Sequence, residues 1–326
     1  MRAVVQGVGH SVPNKILSNL DLEKIVDTSD AWITQRTGIR ERRVSEPHET
    51  ASTFATEAAH NALIDAGISP DEIEMVVVGT VTGDRPFPAT ACMVQHNLGI
   101  HHAGAFDLGA ACAGFIYSLA SVSSMIEAGR IKTALVVGVD VLSKYLDYTD
   151  RATCVLFGDG AGAVVLRGEE NTDRGIIDTV LLSDGGGAKH IGVDVGGSMV
   201  PPGCPIPPDL HPHLYMAGAE VYRFAVGAMG DACMRALNQA GMTPEDIDLF
   251  VPHQANMRII DSAAEKLGLP DEKVFKNVEK YGNTSGGSIP IALSEAKKTG
   301  RLKEGDLVMT VGFGAGLVWG ANIIRW

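Results

Sequence analysis

Residues 62–77 read ALIDAGISPDEIEMVV, and residues 236–251 read ALNQAGMTPEDIDLFV. In each, a helical tail stops at a glycine, a Ser/Thr-Pro-acidic step turns the chain, and an apolar strand follows. Position 62 thus answers to position 236. Two further echoes come in the same order: EAGRIKTALVVGVD (127–140) against KTGRLKEGDLVMTVGFG (298–314), and FGDGAGAVVLR (157–167) against GFGAGLVWGANIIR (312–325). One such match can be chance, whereas three in sequence indicate one architecture written twice. The expected halves are residues 1–172 and 173–326.

Each half alternates helical segments with Val/Ile/Leu-rich strands such as MVVVGTV (75–81), TALVVGVDV (133–141), GAVVLR (162–167) and DLVMTVGF (306–313). Strands without polar alternation are covered on both faces, which points to α/β layering. Residues 183–215, rich in Gly and Pro, break this pattern and form an excursion between the halves. Such a segment is either a linker or a loop that shapes a substrate tunnel.

The chain has 326 residues, 45% of them hydrophobic, with 27 Lys and Arg against 39 Asp and Glu for a net charge of −12. That composition sustains a core and excludes general disorder, and the acidic balance disfavours a nucleic-acid binder. The five cysteines have no C-x-x-C spacing, so neither a zinc site nor a disulfide framework is expected. No segment approaches the ~20 apolar residues of a membrane helix, and the first residues lack a secretory apolar run. A soluble, cytoplasmic protein with no membrane partner is expected. GDGAGAVV (158–165) precedes a strand, so it is no dinucleotide fingerprint. His211 and His213, in a Pro-rich loop without further ligands, do not make a metal site.

Cys112 lies among the small residues Gly109, Ala110, Ala111, Ala113 and Gly114, ahead of a helix with Phe115, Leu119, Val122 and Ile126 on one face. A cysteine in an apolar stretch is more often a core filler. Here the small neighbours permit a sharp turn into a helix start, where the dipole favours thiolate. With Gly129 set against Gly300, Cys112 falls on Asn283, each at the same spacing before its glycine, so Asn283 is expected to open a helix too. His253 takes the place of Gly79 just past a strand end. Strand ends and helix starts on one side of a sheet are where α/β folds build sites. Cys112, His253 and Asn283 are therefore expected in one pocket. Together they can handle an acyl group, with the thiolate storing the chain and the two N–H donors stabilising an enolate oxygen. An amidase would instead use the His as base and the Asn to orient it, and spacing alone does not separate the two.

The segments AACAGF (110–115), VPHQANMRII (251–260), GNTSGGSIP (282–290) and GFGAGLVWGANIIRW (312–326) resemble β-ketoacyl-acyl carrier protein synthase III, the condensing enzyme that initiates type II fatty acid synthesis. The similarity runs from Val5 to Trp326. It implies a thiolase-like five-layered α-β-α-β-α fold and a homodimer. It also implies decarboxylative condensation of an acyl-CoA primer, acetyl-CoA first among them, with malonyl-acyl carrier protein and without a cofactor. Cys112 would be the acylated nucleophile, His253 and Asn283 would drive decarboxylation, and the backbone N–H groups of Cys112 and Ala315 would form the oxyanion hole. The family often has Gly at the Ala315 position, a change that leaves a backbone donor intact.

The same resemblance puts Trp32 and Arg151 around the adenine of coenzyme A, Arg36 near its phosphates, and Gly218 and Asn256 along the pantetheine tunnel. Phe87, in DRPFPATAC, would reach across the dimer interface to the end of the partner's acyl pocket. Arg223 and Arg258 are candidates for docking the acidic carrier protein. The run Arg40, Arg42, Arg43 reads equally as a solvated basic helix end, and no role is given to it. Two other readings stay open: a secondary-metabolism ketosynthase with an unusual primer, and a catalytically silent acyl-binding protein.

Overall fold

The computed structural model describes residues 1–326. The first half contributes strand β1 (Arg2–Ser11), helices α1 (Asp30–Thr37) and α2 (Ala51–Ala66), β2 (Met75–Gly79), α3 (Thr90–Asn97), β3 (Gly104–Leu108), α4 (Gly114–Glu127), β4 (Thr133–Val141) and β5 (Asp159–Glu169). The second contributes β6 (Gly175–Ser183), α5 (Gly218–Ala240), β7 (Leu249–Pro252), α6 (Met257–Lys266), α7 (Ser288–Lys298), β8 (Leu307–Gly314) and β9 (Val318–Arg325).

The first sheet runs β1-β5-β4-β2-β3 and the second β6-β9-β8-β7. In both, the strand after the middle-layer helix, β4 or β8, pairs in parallel with β2 or β7 and antiparallel with its next neighbour in sequence, β5 or β9. The second sheet is the first without a β3. Helices α4 and α7 lie between the sheets, α2 and α3 cover the outer face of the first, and α5 and α6 cover the outer face of the second. The result is five layers, α-β-α-β-α.

Strand side chains alternate between two cores, which is why the strands read as unbroken apolar runs. Val76, Val78, Leu135 and Val137 enter the outer core beneath α2, whereas Val77, Ala134 and Val136 enter the middle core with Phe115 and Leu119 of α4. Leu249, Val251 and Val308 close that middle core from the second sheet, and Phe250, Met309 and Val311 face α5 and α6. Each buried Val or Leu contributes about 1.5–3 kcal/mol relative to exposure. Helix α4 ends as its sequence predicts, with Gly129 at φ +68° just beyond it.

The backbone at the centre is unusually close. A Cβ on Gly138 of β4 would stand 2.1 Å from the Gly286 carbonyl oxygen, and one on Gly79 would stand 2.7 Å from the Gly114 carbonyl carbon. Small residues at strand ends thus let the starts of α7 and α4 approach the first sheet.

Two sequence alignments shift in the structure. Helix α4 has 14 residues and α7 has 11, so matching their terminal glycines misplaces their starts. Matched at their starts, Ala111 corresponds to Ser285 and Cys112 to Gly286, the same offset that relates position 62 to position 236. Asn283 therefore does not open a helix: it lies ahead of the 3-10 turn Ser285–Gly287, paired in extended form with Leu156 and Gly158. The third echo also moves. Gly162 pairs with Gly138 and Gly320 with Gly312, so GAVVLR (162–167) matches GANIIR (320–325). The GFGAG segment is instead the end of β8 and its turn.

Candidate active site

Cys112 is the middle residue of a 3-10 turn, Ala111–Ala113, that feeds α4. Ala111 before it has φ +44°, a left-handed conformation that costs a non-glycine residue about 1–3 kcal/mol. That elbow presents the sulfur at the wall between two cavities. The larger, about 620 Å³, is lined by Val81, Leu142, Phe157, Leu214 and Ala315 among others. The narrower, about 90 Å³, is lined by His253, Asn283, Phe313, Gly314, Gly218 and Asn256. Cys112 belongs to both, so the sequence-predicted trio converges on one place.

The thiol is 8% exposed and accepts a hydrogen bond from the Ser285 hydroxyl at 3.2 Å. Burial pushes it up to about 12; the Ser285 hydrogen bond opposes that rise, and the Asp140 charge adds to it. Burial thus opposes the thiolate that the helix start favours.

His253 sits just past β7, its N–H bonded to the Val311 carbonyl at 2.7 Å, as its match to Gly79 predicts. The ring is fully buried, edge-on to Phe313 at 5.5 Å, with Nδ1 2.6 Å from the Ser288 hydroxyl. Ser288 Oγ also accepts the Gln254 N–H at 3.3 Å. With one lone pair taken by Gln254, the Ser288 hydroxyl is free to donate to Nδ1, the arrangement in which Nε2 carries the ring proton. Nε2 is buried without a protein partner. Burial drives the imidazole down to about 3, so it is a neutral donor near neutral pH and a poor base.

Asn283 is fixed through its backbone: its N–H donates to Leu156 O at 2.8 Å, and its carbonyl accepts from Gly158 at 3.0 Å. Its Oδ1 accepts the Ser285 N–H at 2.8 Å, which leaves the Nδ2 amide as the group to serve the cavity. Two neutral donors and one thiol thus share a buried pocket.

Toward the surface, Ser29 caps α1 through the Trp32 N–H at 3.1 Å, and Gly38 ends that helix at φ +76°, as the sequence predicts. The Arg36 and Arg151 guanidinium groups lie 4.8 Å and 5.4 Å from the Trp32 ring centre. Arg151 is also held by the Asp27 carbonyl at 3.0 Å. Asn256 caps α6 through the Arg258 N–H at 2.9 Å and donates to the Arg36 carbonyl at 3.1 Å, which joins the narrow cavity to the Trp32 helix. Gly218 opens α5 on the same cavity. Arg258 covers the Tyr222 ring at 5.5 Å, and Arg223 is exposed and paired with Glu220 at 3.0 Å.

The basic run is not one patch. Arg42 is 0% exposed, and its guanidinium donates to Leu17 O, Asn19 Oδ1 and Val155 O, so it is a structural tie between segments. Phe87 lies outside the core, 83% exposed. The 183–215 excursion is no simple linker: Ile191–Gly192 pairs with Tyr215–Met216 at its base, and Val193, Val195, Gly197 and Pro202 line the larger cavity. No group of three or more His, Cys, Asp or Glu side chains is gathered as for a metal ion, and no helix is long and apolar enough to cross a membrane.

Three residues at this site escape the sequence reading: Ser285, Ser288 and Asp140. The first two follow Asn283 in GNTSGGS, and Asp140 is the only acidic residue of the apolar strand TALVVGVDV.

The chain is similar to known proteins over its whole length. Residues 106–185 match the family model for 3-oxoacyl-[acyl-carrier-protein] synthase III, and residues 237–326 match the model of its C-terminal part. The chain is 51% identical to the β-ketoacyl-[acyl-carrier-protein] synthase III of Symbiobacterium thermophilum over 99% of this chain and 97% of that one. The crystal structure of 3-oxoacyl-[acyl-carrier-protein] synthase III from Aquifex aeolicus superposes with a TM-score of 0.92 at 45% identity, covering 99% of this chain and 100% of that one. The priming β-ketosynthase of the R1128 polyketide pathway superposes with a TM-score of 0.90 at 36% identity, covering 99% and 96%.

Proposed function

Because the chain belongs to the 3-oxoacyl-[acyl-carrier-protein] synthase III family, an acyltransferase family of fatty acid biosynthesis, we propose that Cys112, His253 and Asn283 carry its condensation. The observation that carries this reading is the neutral His253, whose bare Nε2 shares the narrow cavity with Cys112 and Asn283. A histidine held neutral serves as a donor to a developing oxyanion, which favours the condensing role over the hydrolytic one.

In the first half-reaction the Cys112 sulfur attacks the thioester carbon of an acyl-CoA primer, acetyl-CoA first among candidates, and coenzyme A leaves as its thiolate. The oxyanion is met by the backbone N–H groups of Cys112 and Ala315. In the second, malonyl-acyl carrier protein enters the narrow cavity, and its thioester oxygen takes hydrogen bonds from His253 Nε2 and Asn283 Nδ2. Loss of CO₂ leaves an enolate that these donors stabilise, and its carbon attacks the acyl-Cys112 to give the 3-oxoacyl product. The thioesters are already activated and CO₂ release drives the step, so the reading requires no metal or redox cofactor.

Trp32, Arg36 and Arg151 would receive the nucleotide of coenzyme A, with Gly218 and Asn256 along the arm. Arg223 and Arg258, on the same side, suit an acidic carrier protein. An exposed Phe87 fits a homodimer in which it enters the partner's acyl pocket. A cytoplasmic enzyme follows from these substrates.

Intact-protein mass spectrometry after mixing with acyl-CoA primers tests the reading. A single adduct on Cys112 that malonyl-acyl carrier protein discharges is the expected result. No adduct from any primer would shift the assignment to a silent acyl binder.

A further inference from the structure

Oxyanion stabilisation by His253 needs a proton on Nε2, and a neutral imidazole carries its one proton on either nitrogen. The partner of Nδ1 decides between them. That partner is Ser288, the first residue of α7, 1% exposed, with its hydroxyl oxygen 2.6 Å from Nδ1. The hydroxyl has one other contact, the Gln254 backbone N–H at 3.3 Å, a group that can only donate. Gln254 is held in turn by its side chain. Its amide N–H groups donate to the Pro252 carbonyl at 2.8 Å and the Phe275 carbonyl at 3.1 Å, and its Oε1 accepts the Asn277 N–H at 2.9 Å. Nδ1 is then the one acceptor open to the Ser288 proton. In the other tautomer Nδ1–H would donate to Ser288, and the buried hydroxyl proton would have no acceptor. Nε2 would also turn a lone pair, not a proton, to the narrow cavity. The Ser288 bond is the only polar tie on the ring, since Phe313 meets it edge-on and Nε2 has no protein partner.

We propose that Ser288 is a positioning residue of the condensation: its hydroxyl donates to His253 Nδ1, fixes the proton on Nε2 and aims that N–H into the narrow cavity. This role rests on the condensing-enzyme reading and names what makes His253 a donor. No proton leaves Ser288 and no bond forms or breaks at it, so it acts through His253 alone. A histidine base would need the reverse arrangement, an acceptor that keeps the proton on Nδ1 and leaves the Nε2 lone pair free. The Gln254 N–H on Ser288 Oγ works against that arrangement. Asn283 and Ser288 both belong to GNTSGGSIP, so one segment carries one donor and orients the other. Acylation of Cys112 makes no demand on the Ser288 bond. Loss of the hydroxyl should therefore fall on the second half-reaction.

The test compares the unaltered protein with Ser288→Ala, His253→Ala and the double variant. Three readouts are used: adduct formation from acetyl-CoA, CO₂ release from malonyl-acyl carrier protein by the acetylated protein, and proton–nitrogen NMR correlation spectra of histidine-labelled protein. The His253 signals are those missing from His253→Ala. In the unaltered protein near neutral pH they should show a protonated Nε2 and a bare, hydrogen-bonded Nδ1. In Ser288→Ala that Nδ1 signature should be lost. The same variant should form the adduct at the unaltered rate yet release CO₂ about 10-fold more slowly or worse, short of the loss of about 100- to 1,000-fold for removing a donor outright. The double variant should be no slower than His253→Ala, because Ser288 acts through the ring. A proton on Nδ1 in the unaltered protein would overturn the proposal, as would unchanged CO₂ release in Ser288→Ala. Equal loss of acylation and CO₂ release, or a further loss in the double variant, would mean that Ser288 only supports the fold. If Ser288→Ala does not fold, the tautomer in the unaltered protein still decides. An unaltered, acetylated protein that releases no CO₂ from malonyl-acyl carrier protein would overturn the condensing-enzyme reading, while the tautomer, which needs no substrate, would still report on Ser288.

Discussion

Ala111 and Ser285 occupy the same place in the two halves and share a left-handed backbone, φ +44° and +50°, that neither side chain favours. Each begins a 3-10 turn that feeds a middle-layer helix. The same offset relates Gly79 to His253 and Cys112 to Gly286. The two halves therefore meet elbow to elbow but differ in what each elbow carries. One half brings the cysteine. The other brings the histidine, the amide and the serine hydroxyl that touches the sulfur.

That division of labour separates the half-reactions. His253→Ala and Asn283→Ala should still form the acyl-Cys112 adduct, because neither side chain accepts its proton. Each should lower CO₂ release from malonyl-acyl carrier protein about 100- to 1,000-fold, the usual loss for one oxyanion donor. Parallel measurement of adduct mass and CO₂ release checks this, and loss of acylation in either variant would restore the histidine as a base.

Neutral, buried His253 also makes stability depend on pH. In the fold its ionisation falls from 6.5 to about 3, so between those values the unfolded chain binds a proton that the native state refuses. The contribution is fully present above about 6.5 and is lost as pH falls toward 3, with a limiting slope of about 1.4 kcal/mol per pH unit. Urea unfolding at pH 7, 6 and 5 should show a shallower decline for His253→Gln than for the unaltered protein. Equal slopes would mean that the ring is solvated.

The five layers are readable because strands buried on both faces lose their polar alternation, and because the repeat preserves its turns. The pocket is readable because His253 interrupts a strand-end pattern that its counterpart Gly79 completes. The helix alignment fails for a physical reason: α7 is shorter than α4, and terminal glycines mark helix ends, not starts. Arg42 misleads because charge suggests solvent, whereas its place in the middle of the short strand Glu41–Arg43 turns it inward. Asp140 and Ser285 carry no motif of their own, since what brings them beside Cys112 is where two distant segments meet.

The close approach of β4 to the second elbow makes Gly138 sensitive. Gly138→Ala would set a methyl 2.1 Å from the Gly286 carbonyl oxygen, with Phe115 Cβ at 3.2 Å on another side. Backbone cannot yield there without moving Ser285 and Asn283. Destabilisation of about 1–3 kcal/mol is expected, together with a loss of acylation out of proportion to it. Thermal melting and adduct formation, measured on one preparation, check both.

Trp32 offers a cleaner separation of binding from chemistry. Stacking of a base on an aromatic ring is worth about 1–3 kcal/mol, so Trp32→Ala should raise KM for acetyl-CoA about 5- to 150-fold. Acetyl-pantetheine, which lacks the nucleotide, should react equally well with both proteins. If KM rises for both substrates, the ring supports the tunnel and not the adenine.

In the proposed homodimer, Phe87 acts in the partner and not in its own chain. It is 83% exposed, so its substitution removes no packing from its own core. Its ring should act in the partner, at the far end of a cavity of about 620 Å³. Phe87→Ala should then lengthen the preferred primer, raising kcat/KM for hexanoyl-CoA relative to acetyl-CoA, while Phe87→Trp should shift the ratio the other way. Melting temperatures should stay within the narrow range of surface changes as long as the dimer persists. Measuring the two ratios alongside sedimentation of each variant distinguishes a pocket wall from a bare surface residue, for which neither ratio would move.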